Sequence, residues 1–305
     1  MRLPLAMKVP ALVVTAALSA ALLGACGDST TEENSKSKTV SVEAANGTVA
    51  IAAPAKKIVS LSPTATEMLF AIGAGDQVVA ADALSNFPSD APKTDMQGMT
   101  PNVDAILNYE PDLVVLSFDP GTIESQLKKA KVPVLVEAPA TSLADSYDQI
   151  QDLGIATGKK EEASDVVQKM TEDIDAAVKS AGELTERSYY HESDATYYSA
   201  TSKTFVGEIY SKFKLKNIAD EADTAGTGYP QLSAEHIVNK APDFIFLADT
   251  ASGGQTAQTV AARPGWNTIP AVQNGKVVEL NEDISSRWGP RTVEFAVSVS
   301  TALKG

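Results

Sequence analysis

The loop Arg287-Trp288-Gly289-Pro290-Arg291 sets two guanidinium groups beside an indole within five residues. Guanidinium groups pair with carboxylate, phosphate or metal-coordinated oxygens, and aromatic rings pack on flat apolar faces. That combination suits a bulky anionic ligand. Ser62, Gln97, Phe118, Tyr198, Asp249 and Arg287 each come soon after a strand-like segment and are expected to reach a common cleft. Trp288, and Tyr229 in the lid-like or turn-like stretch Gly226-Thr227-Gly228-Tyr229-Pro230, complete the candidate binding set. Arg291 suits a structural role, tying the last helix to the body.

Other chemistries have weaker support. Ser62, His191 and an Asp can be assembled on paper as a triad, but no G-x-S-x-G elbow is present, so no catalytic residue is assigned. His191 and His236 are the only histidines and Cys26 the only cysteine. These are too few for a zinc or transition-metal site of the usual kind. No directly bound metal and no cofactor is expected.

The elements that must position these residues are organised around residues 160–181. Ala163, Val166, Val167, Met170, Ile174, Ala177, Val178 and Ala181 fall on one helical face, acids and lysines fill the other, and Gly182 follows as a C-terminal cap. On either side lie two similar units, Val103-Asp104-Ala105-Ile106-Leu107-Asn108-Tyr109-Glu110-Pro111-Asp112-Leu113-Val114-Val115-Leu116 and Ala234-Glu235-His236-Ile237-Val238-Asn239-Lys240-Ala241-Pro242-Asp243-Phe244-Ile245-Phe246-Leu247. Each reads as a short amphipathic helix, a Pro-Asp stop and a strand buried on both faces. The fold class expected is α/β: two related lobes with parallel sheets, residues 56–156 and 183–305, joined by one long helix within residues 157–182. A strand is also expected at residues 195–198.

Residues 1–25 read as an export signal, with Arg2 and Lys8 as their only charges and an apolar stretch short for a membrane span. Leu23-Gly24-Ala25-Cys26 resembles a lipobox, which makes Cys26 the expected site of lipidation. Residues 26–55 are polar at their start and are expected to form a flexible tether. Removing Arg2 and Lys8 from the 25 basic residues leaves 23 against 39 acidic ones, a net charge of −16. Nucleic acid and anionic headgroups are poor partners for such a surface.

Ser60-Leu61-Ser62-Pro63 with Thr66-Glu67, then Gln97-Gly98-Met99, Glu110-Pro111-Asp112-Leu113-Val114, Asn217-Ile218-Ala219-Asp220, Pro264-Gly265-Trp266-Asn267 and Arg287-Trp288-Gly289-Pro290-Arg291 stand in this order along the chain. The set resembles the Fe/B12-type periplasmic-binding family. The resemblance implies two Rossmann-like lobes joined by one rigid helix, in a protein that passes a metal chelate to an ABC permease and its ATPase; with the expected lipid on Cys26 it is expected to be extracytoplasmic, membrane-anchored and a monomer. Any metal would then arrive already chelated. It also implies that Asp104 and Glu235, one on each unit, dock on arginines of the permease. Ser62-Pro63, Ser85-Asn86-Phe87-Pro88 and Gln97-Gly98-Met99 resemble the B12-binding branch, which points to a corrinoid. The first lobe has no tryptophan to stack on a corrin, and a ferric siderophore or haem is the alternative. An adhesion lipoprotein or a hydrolase is the remote alternative.

Overall fold

The computed structural model describes residues 38–304; the expected export signal and Cys26 lie outside them. The described chain begins with β1 (Lys38–Ala44) and β2 (Gly47–Ala53), paired antiparallel around a turn with Gly47 at φ 92°. This corrects the expectation of a tether through residue 55. Apolar residues at Val40, Val42, Val49 and Ile51 alternate with polar or small ones, a strand period that the Ser- and Glu-rich composition conceals. Val42 and Ile51 are buried in the same core as Ile150 and Leu153. The turn is hooked to the neighbouring sheet, since the Asn46 amide donates to Val134 O at 3.0 Å and accepts from Val136 N at 3.2 Å.

The first lobe contains β3 (Ile58–Leu61), β4 (Val78–Ala81), β5 (Leu113–Leu116) and β6 (Val134–Val136), all parallel, in the order β4-β3-β5-β6. Helices α1 (Pro63–Ala71), α2 (Val103–Leu107), α3 (Ile123–Lys129) and α4 (Leu143–Thr157) accompany them. Between the lobes runs α5 (Lys160–Ser180). The second lobe contains β7 (Arg187–Glu192), β8 (Leu215–Asn217), β9 (Phe244–Leu247) and β10 (Val277–Glu279), parallel, in the order β10-β9-β7-β8. Its helices are α6 (Phe205–Lys212), α7 (Ala234–Lys240), α8 (Ala257–Ala261), α9 (Pro270–Gln273), α10 (Glu282–Ser286) and α11 (Thr292–Lys304).

The two strand orders are one order read from opposite ends, with β3 equivalent to β7 and β5 to β9. Sequence alternation builds both sheets. Leu113 and Val115 face one core while Val114 and Leu116 face the other, and Phe244, Phe246 against Ile245, Leu247 repeat this in the second lobe. The paired Pro-Asp stops have a common geometry. Glu110 and Ala241, just before the prolines, sit at φ 48° and 46°. Asp112 then accepts from Lys56 N and Lys57 N, and Asp243 from Ser188 N and Oγ, so each aspartate holds the start of the adjacent strand.

Helix α5 serves both lobes. Ala163 and Met170 are buried in the first-lobe core, Ile174 and Ala177 in the second. Burying Met170 and Ile174 contributes about 1.5–3 kcal/mol each, and a proline in mid-helix would cost roughly 3 kcal/mol. Gly158 at φ 75° and Gly182 at φ 81° end α4 and follow α5 in the left-handed region that suits glycine. Residues 195–198 do not form the expected strand. Asp194 Oδ1 takes both Thr196 N (2.7 Å) and Thr196 Oγ1 (2.6 Å), an Asx turn that outcompetes extended backbone, and Tyr198 keeps one bridge to Gln231.

Candidate functional site

Ligands of open parallel sheets sit beyond the carboxyl ends of the strands. Between the two lobes, a cavity of about 280 Å³ lies there. Pro139 and Ala140, which follow β6, form the first-lobe wall; His191, Phe205, Val206, Tyr229 and Trp288 form much of the rest. Of the eight residues expected to bind ligand, Tyr229 and Trp288 line this cavity. Trp288 is oriented by Gln149 of α4, whose Oε1 accepts from Nε1 at 2.7 Å, and by Ser146, which donates to the Trp288 carbonyl. Tyr229 is half exposed at the rim.

The other six have different surroundings. Ser62 is buried as the N-cap of α1, its Oγ accepting from Ala65 N at 3.3 Å. Gln97 is exposed and donates to Asp95 O. Its neighbour Gly98 lies so close to the end of β3 that a Cβ there would meet Leu61 O at 2.6 Å. Phe118 and Tyr198 are exposed side chains beyond β5 and β7. Asp249, beyond β9, is only 1% exposed, and neither carboxylate oxygen has a hydrogen-bond partner among the described residues. Burial, reinforced by the nearby Glu192 carboxylate, pushes its pKa up to about 6.

Arg287 is engaged elsewhere than the cavity. Its Nη1 donates to Glu67 Oε1 and to Asn86 Oδ1, both at 2.8 Å, and its Nη2 to Asp283 Oδ1 at 2.7 Å and Leu84 O at 3.1 Å. Arg291 meets the same Glu67 with two bonds, Nε to Oε2 at 2.8 Å and Nη2 to Oε1 at 2.6 Å, while its guanidinium lies 4.3 Å from the Phe87 ring centroid. Glu67 belongs to α1, so these bonds fasten the loop before α11 to the first lobe. Asn86 Nδ2 adds a bond to Asp283 at 2.8 Å. The charge-assisted, bidentate geometry is the strong form of such contacts.

Sequence reasoning missed Glu67 as the acceptor of both arginines, although Thr66-Glu67 and the arginine loop were both singled out. It also missed His191 as a cavity residue. His191 is buried, its Nδ1 is 3.0 Å from Tyr210 Oη, and burial pulls its pKa down to about 4, so it stands in the wall as a neutral imidazole. Its position at the end of β7 was a usable signal. Ser62 and His191 thus hold structural partners in different lobes. Thr66, Ser60, Ser85 and Asp82 form a further buried chain, with Thr66 Oγ1 2.9 Å from both serine hydroxyls and Ser85 donating to Asp82 at 2.7 Å. His236 Nε2 lies 2.9 Å from Ile218 O. Among the described residues, no group of three His, Cys, Asp or Glu side chains is arranged to hold a metal ion.

Asp104 and Glu235 are exposed in the first turns of α2 and α7. A helix that leads back to the start of a parallel strand begins on the side of the strands' carboxyl ends. Both acids therefore flank the face on which the cleft opens. No helix among the described residues is long and apolar enough to cross a membrane.

A family model described as periplasmic binding protein matches residues 58–284. A Bacillus subtilis protein described as an uncharacterized ABC transporter substrate-binding lipoprotein is 32% identical over 304 residues, 94% of each chain. The vitamin B12-binding protein of Vibrio parahaemolyticus is 28% identical over 258 residues, 81% of this chain and 88% of its own. The crystal structure of the periplasmic vitamin B12-binding protein of Vibrio cholerae superposes with a TM-score of 0.66 at 25% identity, covering 82% of this chain and 97% of that one.

Proposed function

This chain belongs to the periplasmic binding protein family, and from that premise we propose that it captures a corrinoid outside the membrane and presents it to an ABC permease. The observation that carries the choice of ligand is the wall of the interlobe cavity. Among the described residues that line it there is no Lys or Arg; the one carboxylate is Glu282, and His191 is neutral. Arg287, the cation that sequence reasoning offered to an anionic chelate, is held by Glu67, Asp283 and Asn86. A haem with its carboxylates, or a catecholate or carboxylate siderophore, would bring unpaired negative charge against this wall. A corrinoid brings neutral amides and a flat ring, which suit Tyr229, Trp288 and the apolar side chains.

The exposed aromatic side chains Phe118, Tyr198 and Tyr229 support a ligand larger than the cavity, seated partly at its mouth. Uncharged ferric hydroxamates are the second reading, since the same lack of cations favours them. Asp104 and Glu235 would engage permease arginines, one on each lobe, and Cys26 would carry the lipid that keeps the protein, as a monomer, at the membrane surface. Calorimetric titration with cobalamin, cobinamide, haem and ferric hydroxamates tests the ligand. Cobalamin or cobinamide is expected to bind at least tenfold more tightly than haem; tighter haem binding, or no corrinoid binding, would refute the reading.

A further inference from the structure

A second recess, of about 260 Å³, shares Pro139 and Ala140 with the interlobe cavity. Five carboxylates line it: Glu43 from β1, Glu137 from the end of β6, and Asp145, Asp148 and Asp152 from α4. No Lys, Arg or His belongs to its lining among the described residues. An acidic surface patch alone would be unremarked on a body of this charge. Glu137 is different. It is 4% exposed, and its Oε1 has no hydrogen-bond partner among the described residues. Leaving such a buried oxygen unpaired costs free energy that a native fold normally avoids.

The carboxylates run from depth to mouth. Glu137 is buried, Asp152 is half-buried, and Asp148 and Glu43 are exposed. Asp145 is already committed, accepting from Thr141 N, Thr141 Oγ1 and Ser142 N as the return half of the α4 capping box. The remaining wall is small and apolar, formed by Ala44, Ala45, Ala138, Pro139 and Ala140. We propose that this recess is a binding site for a linear alkylammonium, whose charged nitrogen bonds to Glu137 and Asp152 while its methylenes lie on the alanine and proline wall. A compact metal ion fits less well, because no three of these acids are grouped to coordinate one. An ammonium on a short chain instead satisfies spaced carboxylates one hydrogen bond at a time.

The recess is wired to the interlobe cavity. Gln149 lines the recess; its Nε2 donates to Ala138 O at 2.7 Å, and its Oε1 accepts from Trp288 Nε1. A cation that shifts the 137–140 loop would therefore move the indole, whereas Trp266 is buried in the second-lobe core and reports nothing of this loop. Protonation opposes binding. Burial, then the Asp152 charge, pushes Glu137 up to about 8, and burial, then Asp148 and Glu43, pushes Asp152 up to about 6. Affinity should fall as pH drops from 8.5 to 6, with a proton released on binding at the lower values.

The test is calorimetry and tryptophan fluorescence on the purified full chain, titrated with putrescine at pH 8.5 and pH 6, with calcium chloride at matched ionic strength as comparator. The expected result is one putrescine per chain at pH 8.5, at least tenfold weaker at pH 6, with a fluorescence change. Glu137→Gln and the milder Asp152→Asn, which lies nearer the recess mouth, should each weaken binding at least tenfold. Absence of saturable putrescine binding, affinity unchanged from the parent in both variants, or tighter binding of calcium would overturn the proposal.

Discussion

Replacing Glu67 by alanine tests the view that the two lobes are fastened from the first-lobe side. The Glu67 side chain is 1% exposed, and its partners Arg287 and Arg291 are 11% and 14% exposed. Removal of the acid strands two guanidinium groups with little access to water. Arg287 keeps Asp283 at 2.7 Å, but Arg291 keeps only its stacking on Phe87. Breaking a buried pair in this way costs roughly 3–5 kcal/mol. At about 2–4 °C per kcal/mol for a chain somewhat smaller than this, the melting temperature should fall by about 10 °C. Glu67→Gln keeps an acceptor but loses the charge, and about half of the effect is expected. The assay is urea unfolding, with midpoint and slope measured together, supported by calorimetric melting. A loss for Glu67→Ala under about 1 kcal/mol, the value of an exposed ion pair, would refute the reasoning, since it would mean that the arginines find water or other partners at no cost.

Further outcomes follow from the same geometry. The His191 pKa is depressed from 6.5 to about 4, so the unfolded chain takes up a proton first as pH falls. Stability should drop between pH 6.5 and 4 by up to about 3 kcal/mol; melts of the parent and of His191→Gln across this range check it, and a variant as acid-sensitive as the parent counts against the assignment. Asp104→Ala with Glu235→Ala should abolish permease-dependent uptake while leaving calorimetric ligand affinity unchanged; persistent uptake would exclude docking through these acids. Trp288→Phe and Tyr229→Ala should each weaken corrinoid binding at least tenfold, about 1.4 kcal/mol, and unchanged affinity would move the ligand elsewhere.

Much of the framework was legible because it depends on local rules. The Ser62-Pro63 start of α1, the Ser142–Asp145 capping box and the glycine after α5 are short-range patterns whose geometry needs nothing distant. The duplicated helix, Pro-Asp and strand unit was visible for the same reason. The hairpin before residue 55 was missed because only four apolar side chains, spaced by twos, signal it, and their burial depends on α4, far along the chain. Site residues were harder still. A position just after a strand brings a side chain to the right end of a sheet, but does not say whether it points to solvent, as Phe118 does, or is buried, as Asp249 is. Arg287 illustrates the limit: its acceptor Glu67 lies 220 residues away, and no local pattern pairs them.

The shared placement of α5 has a mechanical consequence. One half of this rod is set into each core, and Glu67 ties the loop before α11 to the first lobe as well, so there is little slack backbone to absorb a wide swing. Loading should leave the outline of the molecule almost unaltered, and solution scattering curves with and without cargo should overlay. The work of prising the cargo free would then have to come from the transporter.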